Sequence, residues 1–191
     1  MKIGVLALQG DHAAHRQVLE GLGVDVVPVR DAPSLKDVDG LVIPGGESTV
    51  MSRLCDRYEL WPALHEKIAA GMGVLGTCAG LIFMAREISG ATANFSQKTL
   101  GILDIAVARN AYGAQLDSFE ADIEVPLLGA AVRGVFIRAP RVQKVGAGVE
   151  VLAELDGAPV VVRQGRHVGV AFHPEVAGDA RLHELWLAGL K

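Results

Sequence analysis

Met72-Gly73-Val74-Leu75-Gly76-Thr77-Cys78-Ala79-Gly80-Leu81-Ile82-Phe83-Met84-Ala85 is the stretch that decides the fold. Met72 to Gly76 reads as a short buried strand, and Leu81 to Ala85 reads as a helix. Between them, Gly76-Thr77-Cys78-Ala79-Gly80 makes a tight strand-to-helix turn. Small neighbours let the backbone fold sharply there, and the central side chain is thrust past the sheet edge. The first amides of the new helix face that side chain and favour negative charge beside it. Cys78 is therefore a candidate nucleophile, with a buried structural cysteine in a glycine-rich turn as the plainer alternative.

The same alternation extends upstream. Lys2–Leu8 reads as a buried strand and His12–Leu22 as a helix, with Ala14, Val18 and Leu22 spaced four apart on one face. Strands follow at Val24–Val29 and Leu41–Ile43. After the latter comes Pro44-Gly45-Gly46-Glu47-Ser48, then helical segments at Thr49–Arg57 and Pro62–Ala70, the second with proline at its first position. A β-α-β-α order of this kind predicts a parallel sheet covered on both faces. Downstream, Ile102–Ala108, Phe119–Val125 and Val132–Ile137 are short strand candidates. Glu150–Leu155 and Val160–Arg163 flank Asp156-Gly157, a hairpin signal. His167–Phe172 is a further strand, and Ala180–Leu190 a closing helix with Leu182, Leu185, Trp186 and Leu190 as its apolar stripe. The expectation is an α/β fold over residues 1–191 read as one domain. It is a three-layer, mostly parallel open sheet with helices on both faces and antiparallel additions late in the chain.

Composition narrows the function. The chain has 191 residues, half of them hydrophobic, which suits a globular domain. A net charge of -4 without a long basic run argues against nucleic acid and anionic membrane as partners. The apolar run Ile3–Leu8 is too short and badly flanked for a signal peptide. The uncharged stretch Ile68 to Ala85 approaches membrane length, but Gly71, Gly73, Gly76 and Gly80 divide it into strand, turn and helix. Two cysteines, Cys55 and Cys78, make no disulfide framework. These features predict a soluble cytoplasmic protein. Cys55, within a helical segment beside Leu54, is assigned to packing.

His173-Pro174-Glu175 directly follows the strand that ends at Phe172, at the sheet edge where open α/β folds keep their sites. A histidine there can deprotonate Cys78 and later protonate a leaving group. A carboxylate two residues on can hold the imidazole in one tautomer. Read plainly, the same tripeptide is a surface turn. The glycines of Pro44-Gly45-Gly46-Glu47-Ser48 expose amides that could face a developing oxyanion. As an ordinary βα turn, this segment would be capped by Ser48. No Gly-Lys-Ser/Thr follows it, so a phosphate loop is disfavoured, and the scattered histidines and cysteines lack zinc-ligand spacing.

A glycine-rich loop, a cysteine elbow and then His-x-Glu, in that order, resemble the class I, triad-type glutamine amidotransferases, whose fold is flavodoxin-like. The resemblance is closest to the glutaminase subunits of pyridoxal 5′-phosphate synthase and covers essentially the whole chain. It is carried by Gly40-Leu41-Val42-Ile43-Pro44-Gly45-Gly46-Glu47-Ser48-Thr49, Gly76-Thr77-Cys78-Ala79-Gly80, Arg109-Asn110, Asp117-Ser118-Phe119-Glu120-Ala121-Asp122, Gly134-Val135-Phe136-Ile137-Arg138-Ala139-Pro140 and Phe172-His173-Pro174-Glu175. The Pro-Gly-Gly-Glu-Ser-Thr and Phe-Ile-Arg-Ala-Pro blocks are specific to that family. Val50 stands where the family usually has a small or hydroxyl residue, and Ala114 where many relatives carry a second arginine.

The resemblance implies hydrolysis of L-glutamine to L-glutamate and ammonia. The ammonia passes to a synthase (lyase) subunit, the implied partner in a hetero-oligomeric complex, which builds pyridoxal 5′-phosphate from a pentose phosphate and a triose phosphate. It assigns Cys78 as nucleophile, His173 as base and acid, and Glu175 as the residue orienting His173. The amides of Gly46 and Ala79 become the oxyanion hole. Glu47, Ser48, Arg109, Ile137 and Arg138, with Gly46, become the glutamine pocket. Neither a metal nor an organic cofactor is implied. A glutaminase serving another synthase, or a cysteine peptidase, would share the elbow but not the two family blocks together. An inactive binding relative would be expected to have lost Cys78, His173 or Glu175.

Overall fold

The computed structural model describes residues 1–89, 97–109 and 118–191. Asn110, Ala114 and Asp117, named above for the family resemblance, lie outside the described residues. Twelve strands and five α-helices are described. The first half contains β1 (Lys2–Leu6), α1 (His12–Gly21), β2 (Asp25–Val29), β3 (Gly40–Ile43), α2 (Ser48–Arg57), α3 (Leu60–Ala69), β4 (Gly73–Thr77) and α4 (Ala79–Met84). Then come β5 (Ala85–Ser89), β6 (Leu103–Ala108), β7 (Ser118–Val125), β8 (Ala130–Ile137) and β9 (Arg141–Val145). The chain continues through β10 (Glu150–Leu155), β11 (Ala158–Gln164), β12 (His167–Val170) and α5 (Arg181–Ala188).

The main sheet has seven strands in the order β10-β11-β12-β4-β3-β1-β2. The run from β12 to β2 is parallel throughout, and β11 and β10 extend it antiparallel at one edge. Strands β3, β4 and β12 are buried along almost their whole length, as expected of parallel strands covered on two faces. β2 carries Pro28 and forms the other edge of the sheet, where a missing N–H costs no ladder bond. Residues Asp156 and Gly157, both at positive φ (49° and 70°), close the β10–β11 hairpin as a two-residue turn.

From β1 the chain steps outward to β2, and from β3 it steps the opposite way to β4. Right-handed crossovers therefore place α1 on one face and α2–α3 on the other. α5 joins α1, since its His183 meets His15 at 2.9 Å. α4 joins α2 and α3, with Phe83 stacked on Trp61 at a centroid distance of 5.0 Å. The late additions are a three-stranded sheet, β5-β6-β9, and the long β7–β8 hairpin.

Several elements differ from the sequence reading. The helix after the elbow ends at Met84, and Ala85 opens β5, a strand hidden by the apolar run that precedes it. β9 was not anticipated because only Val142 of its five residues is buried. α3 begins at Leu60, so Pro62 sits within the first turn, where amides have no helical partner to lose. Ser48 does not cap α2. Glu47 does, its carboxylate accepting from the Thr49 amide at 3.2 Å. In α1 the face against the sheet centres on His15 and Leu19, with Ala14, Val18 and Leu22 only flanking it.

Candidate active site

The switch in strand order falls between β1 and β3, and open α/β sheets bind ligands outside the carboxyl ends of strands at such a point. The loop after β3, the elbow after β4 and the segment after β12 all emerge there. Cys78 occupies the elbow at φ 48° and ψ -102°, a positive-φ conformation that a non-glycine residue holds only under surrounding constraint. Its amide donates to the carbonyl of Val170 at 2.8 Å, continuing the β4–β12 pairing into the turn. A Cβ on Gly80 would overlap the carbonyl oxygen of Ile43 on β3, and one on Gly76 would crowd Met84 and Gly80. The glycines around Cys78 are thus required by close approach.

His173 lies past the end of β12, held by a bond from its amide to the carbonyl of Val135 on β8 at 2.9 Å. That link ties the β7–β8 hairpin to the site and brings Ile137 and Arg138 over the elbow. The Cys78 thiol donates to the Ile137 carbonyl at 3.8 Å, and the next residue, Arg138, stands at φ 45°. Nδ1 of His173 is 2.7 Å from Oε1 of Glu175, which leaves Nε2 as the nitrogen for the thiol. Burial alone would push His173 down. Hydrogen bonds and charge from Cys78 and Glu175 outweigh it and raise the imidazole to about 10. Burial likewise opposes the Glu175 carboxylate, but bonds from His15 and His173 hold it well below the usual carboxylate range. At neutral pH Glu175 is ionised.

A cleft of about 60 Å³ is lined by Gly46, Glu47, Ser48, Cys78, Ala79, Ile82, Arg109, Ile137 and Arg138. Every binding residue expected from the sequence therefore lines one cleft with Cys78, and only Ile82 was unforeseen. Arg109 reaches across it, its Nη2 2.9 Å from Glu47 Oε1 and its Nη1 2.9 Å from Thr49 Oγ1. Gln97 adds an acceptor for Ser48 Oγ at 3.1 Å. Gln9 fixes the loop after β3 by accepting from the Glu47 amide at 2.7 Å. Cys55 is fully buried on α2, and burial, then the charge of Asp56, pushes its thiol up to about 12, as suits packing. Among the described residues no group of histidine, cysteine and acidic side chains could hold a metal ion, and no helix is long and apolar enough to cross a membrane.

Three buried neighbours of Glu175 escaped the sequence reading. His15, Thr77 and His183 form a buried chain leading to Glu175. Two of them are histidines on the buried faces of α1 and α5, which the spacing of the apolar residues did not single out.

A flavodoxin-like sheet bearing a cysteine on the elbow after β4, with a histidine and a carboxylate at the end of the neighbouring strand, is the class I glutamine amidotransferase fold. The model of the SNO glutamine amidotransferase family matches residues 5–190, and the chain belongs to that family. It is 49% identical to the pyridoxal 5′-phosphate synthase subunit PdxT of Kosmotoga olearia over 98% of this chain and 96% of that one. It is 52% identical to the protein of the same name from Koribacter versatilis, over 98% and 94% respectively. A crystal structure of a glutamine amidotransferase superposes with a TM-score of 0.92 at 43% identity, covering 98% of both chains. A glutamine amidotransferase from Thermotoga maritima, at 13% identity and a TM-score of 0.62 over 100% of this chain and 84% of that one, shares the fold.

Proposed function

We propose that this chain is the glutaminase subunit of a pyridoxal 5′-phosphate synthase, hydrolysing L-glutamine through Cys78, His173 and Glu175. The observation that carries this reading is the 2.7 Å contact between His173 Nδ1 and Glu175 Oε1, with the other ring nitrogen left to the thiol of Cys78. The relatives named PdxT supply the partner, since each is a subunit of that synthase.

The chemistry follows from these groups. His173 carries the thiol's proton on Nε2, its hold on that proton strengthened by Cys78 and Glu175, and the Cys78 sulfur attacks the side-chain amide carbon of glutamine. Ionised Glu175 stabilises the resulting imidazolium and keeps its tautomer. The amides of Gly46 and Ala79 receive the tetrahedral oxyanion. The C–N bond then breaks as His173 protonates the departing nitrogen, giving ammonia and a γ-glutamyl thioester on Cys78. Water, deprotonated by His173, attacks the thioester, and glutamate leaves as the thiol is restored. Arg109 and Arg138, with Glu47, Ser48 and Ile137, hold the amino-acid end of glutamine, an arginine fork suiting its carboxylate. Ammonia is delivered to the lyase subunit. The hydrolysis moves only protons and an acyl group, so it draws on no redox cofactor.

The test is pyridoxal 5′-phosphate formation by a synthase subunit of such a complex. Adding this chain with glutamine should support synthesis, and ammonium salt should replace both. A synthase that gains nothing from the chain and glutamine, yet responds to ammonium, would contradict the assignment.

A further inference from the structure

His15 stands in the middle of α1, on the face turned to the sheet, and is completely buried. Both ring nitrogens have partners. Nε2 lies 3.0 Å from Thr77 Oγ1 and 3.3 Å from Glu175 Oε1, and Nδ1 lies 2.9 Å from Nε2 of His183 on α5. One arrangement of protons satisfies these contacts. The carboxylate oxygen can only accept, so His15 carries its proton on Nε2 and leaves Nδ1 bare. Nδ1 then accepts from Nε2–H of His183. The remaining Nδ1 of His183, buried without a hydrogen-bond partner among the described residues, is a bare nitrogen and not a stranded donor. The reverse arrangement would turn a lone pair of His15 toward the carboxylate and bury an unpaired N–H on His183. Burial and the neighbouring His15 push His183 down to about 3, so its ring is neutral, as the first arrangement needs.

Oε1 of Glu175 thus has two imidazoles against it, His173 Nδ1 hydrogen-bonded at 2.7 Å and His15 Nε2 at 3.3 Å with its N–H shared with Thr77 Oγ1 at 3.0 Å, while among the described residues Oε2 has no hydrogen-bond partner. Contacts from two separate elements limit both the position and the rotation of the carboxylate, whereas His173 lies only two residues away on the same segment. The same imidazole touches Thr77, which immediately precedes Cys78.

We propose that His15 is a positioning residue of this site. Its Nε2–H holds Glu175 Oε1 where His173 Nδ1–H must meet it, and His183 fixes the tautomer that makes this possible. The inference rests on the roles of Cys78, His173 and Glu175 given under the proposed function.

The experiment measures ammonia release against glutamine concentration for the complex with the synthase subunit, using His15→Leu, His15→Gln, His15→Asn and Cys78→Ala. Leucine keeps bulk without a donor, glutamine can place an N–H where the ring's Nε2–H stands, and asparagine is too short to reach Glu175. His15→Leu and His15→Asn should lower kcat at least about tenfold with KM within about twofold, the loss of a hydrogen bond to a charged group. His15→Gln should recover to within about threefold of the parent. If His15→Leu does not fold, the contrast between glutamine and asparagine carries the test. Parent-like kcat in His15→Asn, equal impairment of Asn and Gln variants, or a loss confined to KM overturns the positioning role. An active Cys78→Ala would sink the reading of the whole site. An inactive one beside an unimpaired His15→Asn sinks the role of His15 alone.

Discussion

A Cβ built on Gly45 would overlap the imidazole ring of His173. The loop after β3 and the segment after β12 therefore meet at van der Waals contact, and the base is seated against bare backbone. Gly45→Ala should displace the ring and cut ammonia release at least about a hundredfold, the scale of a misplacement near 1 Å. The chain should still fold, because the clash lies at a strand end. Steady-state assay beside a thermal melt checks this, and parent-like activity would show that the ring has another place to sit.

Arg109 Nη2 is 2.9 Å from Glu47 Oε1 in the cleft. If that fork also receives the carboxylate of glutamine, Arg109→Lys should raise KM about tenfold and leave kcat within about threefold, since the lost interaction is made equally in ground and transition states. A change in kcat at constant KM would place Arg109 at the reacting atoms instead.

The raised imidazole makes stability depend on pH. His173 has an ordinary value of 6.5 and a folded value of about 10. Its contribution is complete below the unfolded value and is lost as pH rises through the folded one, because between them the folded chain holds a proton that the unfolded chain has released. The melting temperature should therefore fall from pH 6.5 toward 10, and His173→Gln should fall less steeply over the same window. Parallel curves for parent and variant would contradict the sign argued here.

The two cysteines should react differently. Cys55 is fully buried with its thiol held up at about 12, whereas Cys78 opens on the cleft. Limited alkylation near neutral pH, mapped by mass spectrometry, should modify Cys78 first and abolish activity in step. Modification of Cys55 at the same rate would contradict the assigned environments.

The sequence makes legible whatever glycine and periodicity announce. The elbow around Cys78, the loop Pro44–Glu47 and the strand leading to His173 all read directly, because tight turns and buried parallel strands demand small and apolar residues in order. What was hidden depends on tertiary override. His15 and His183 lie on the buried faces of α1 and α5, a placement that apolar spacing does not announce and that their contact across two helices explains. β5 was lost in the apolar run that makes α4, and β9 in a surface strand with one buried residue. The cap of α2 fell to Glu47 because Arg109 and Gln9 hold that residue in place from distant parts of the chain.

The central claim is that Cys78 carries the acyl group. The most direct measurement is ammonia release from glutamine by the synthase complex assembled with Cys78→Ala or with Cys55→Ala. Loss of the nucleophile should lower the rate at least about a thousandfold while the chain remains folded, and Cys55→Ala should keep most of it. Cys78→Ala releasing ammonia within about tenfold of the parent rate, or Cys55→Ala proving inactive while folded, would contradict the account.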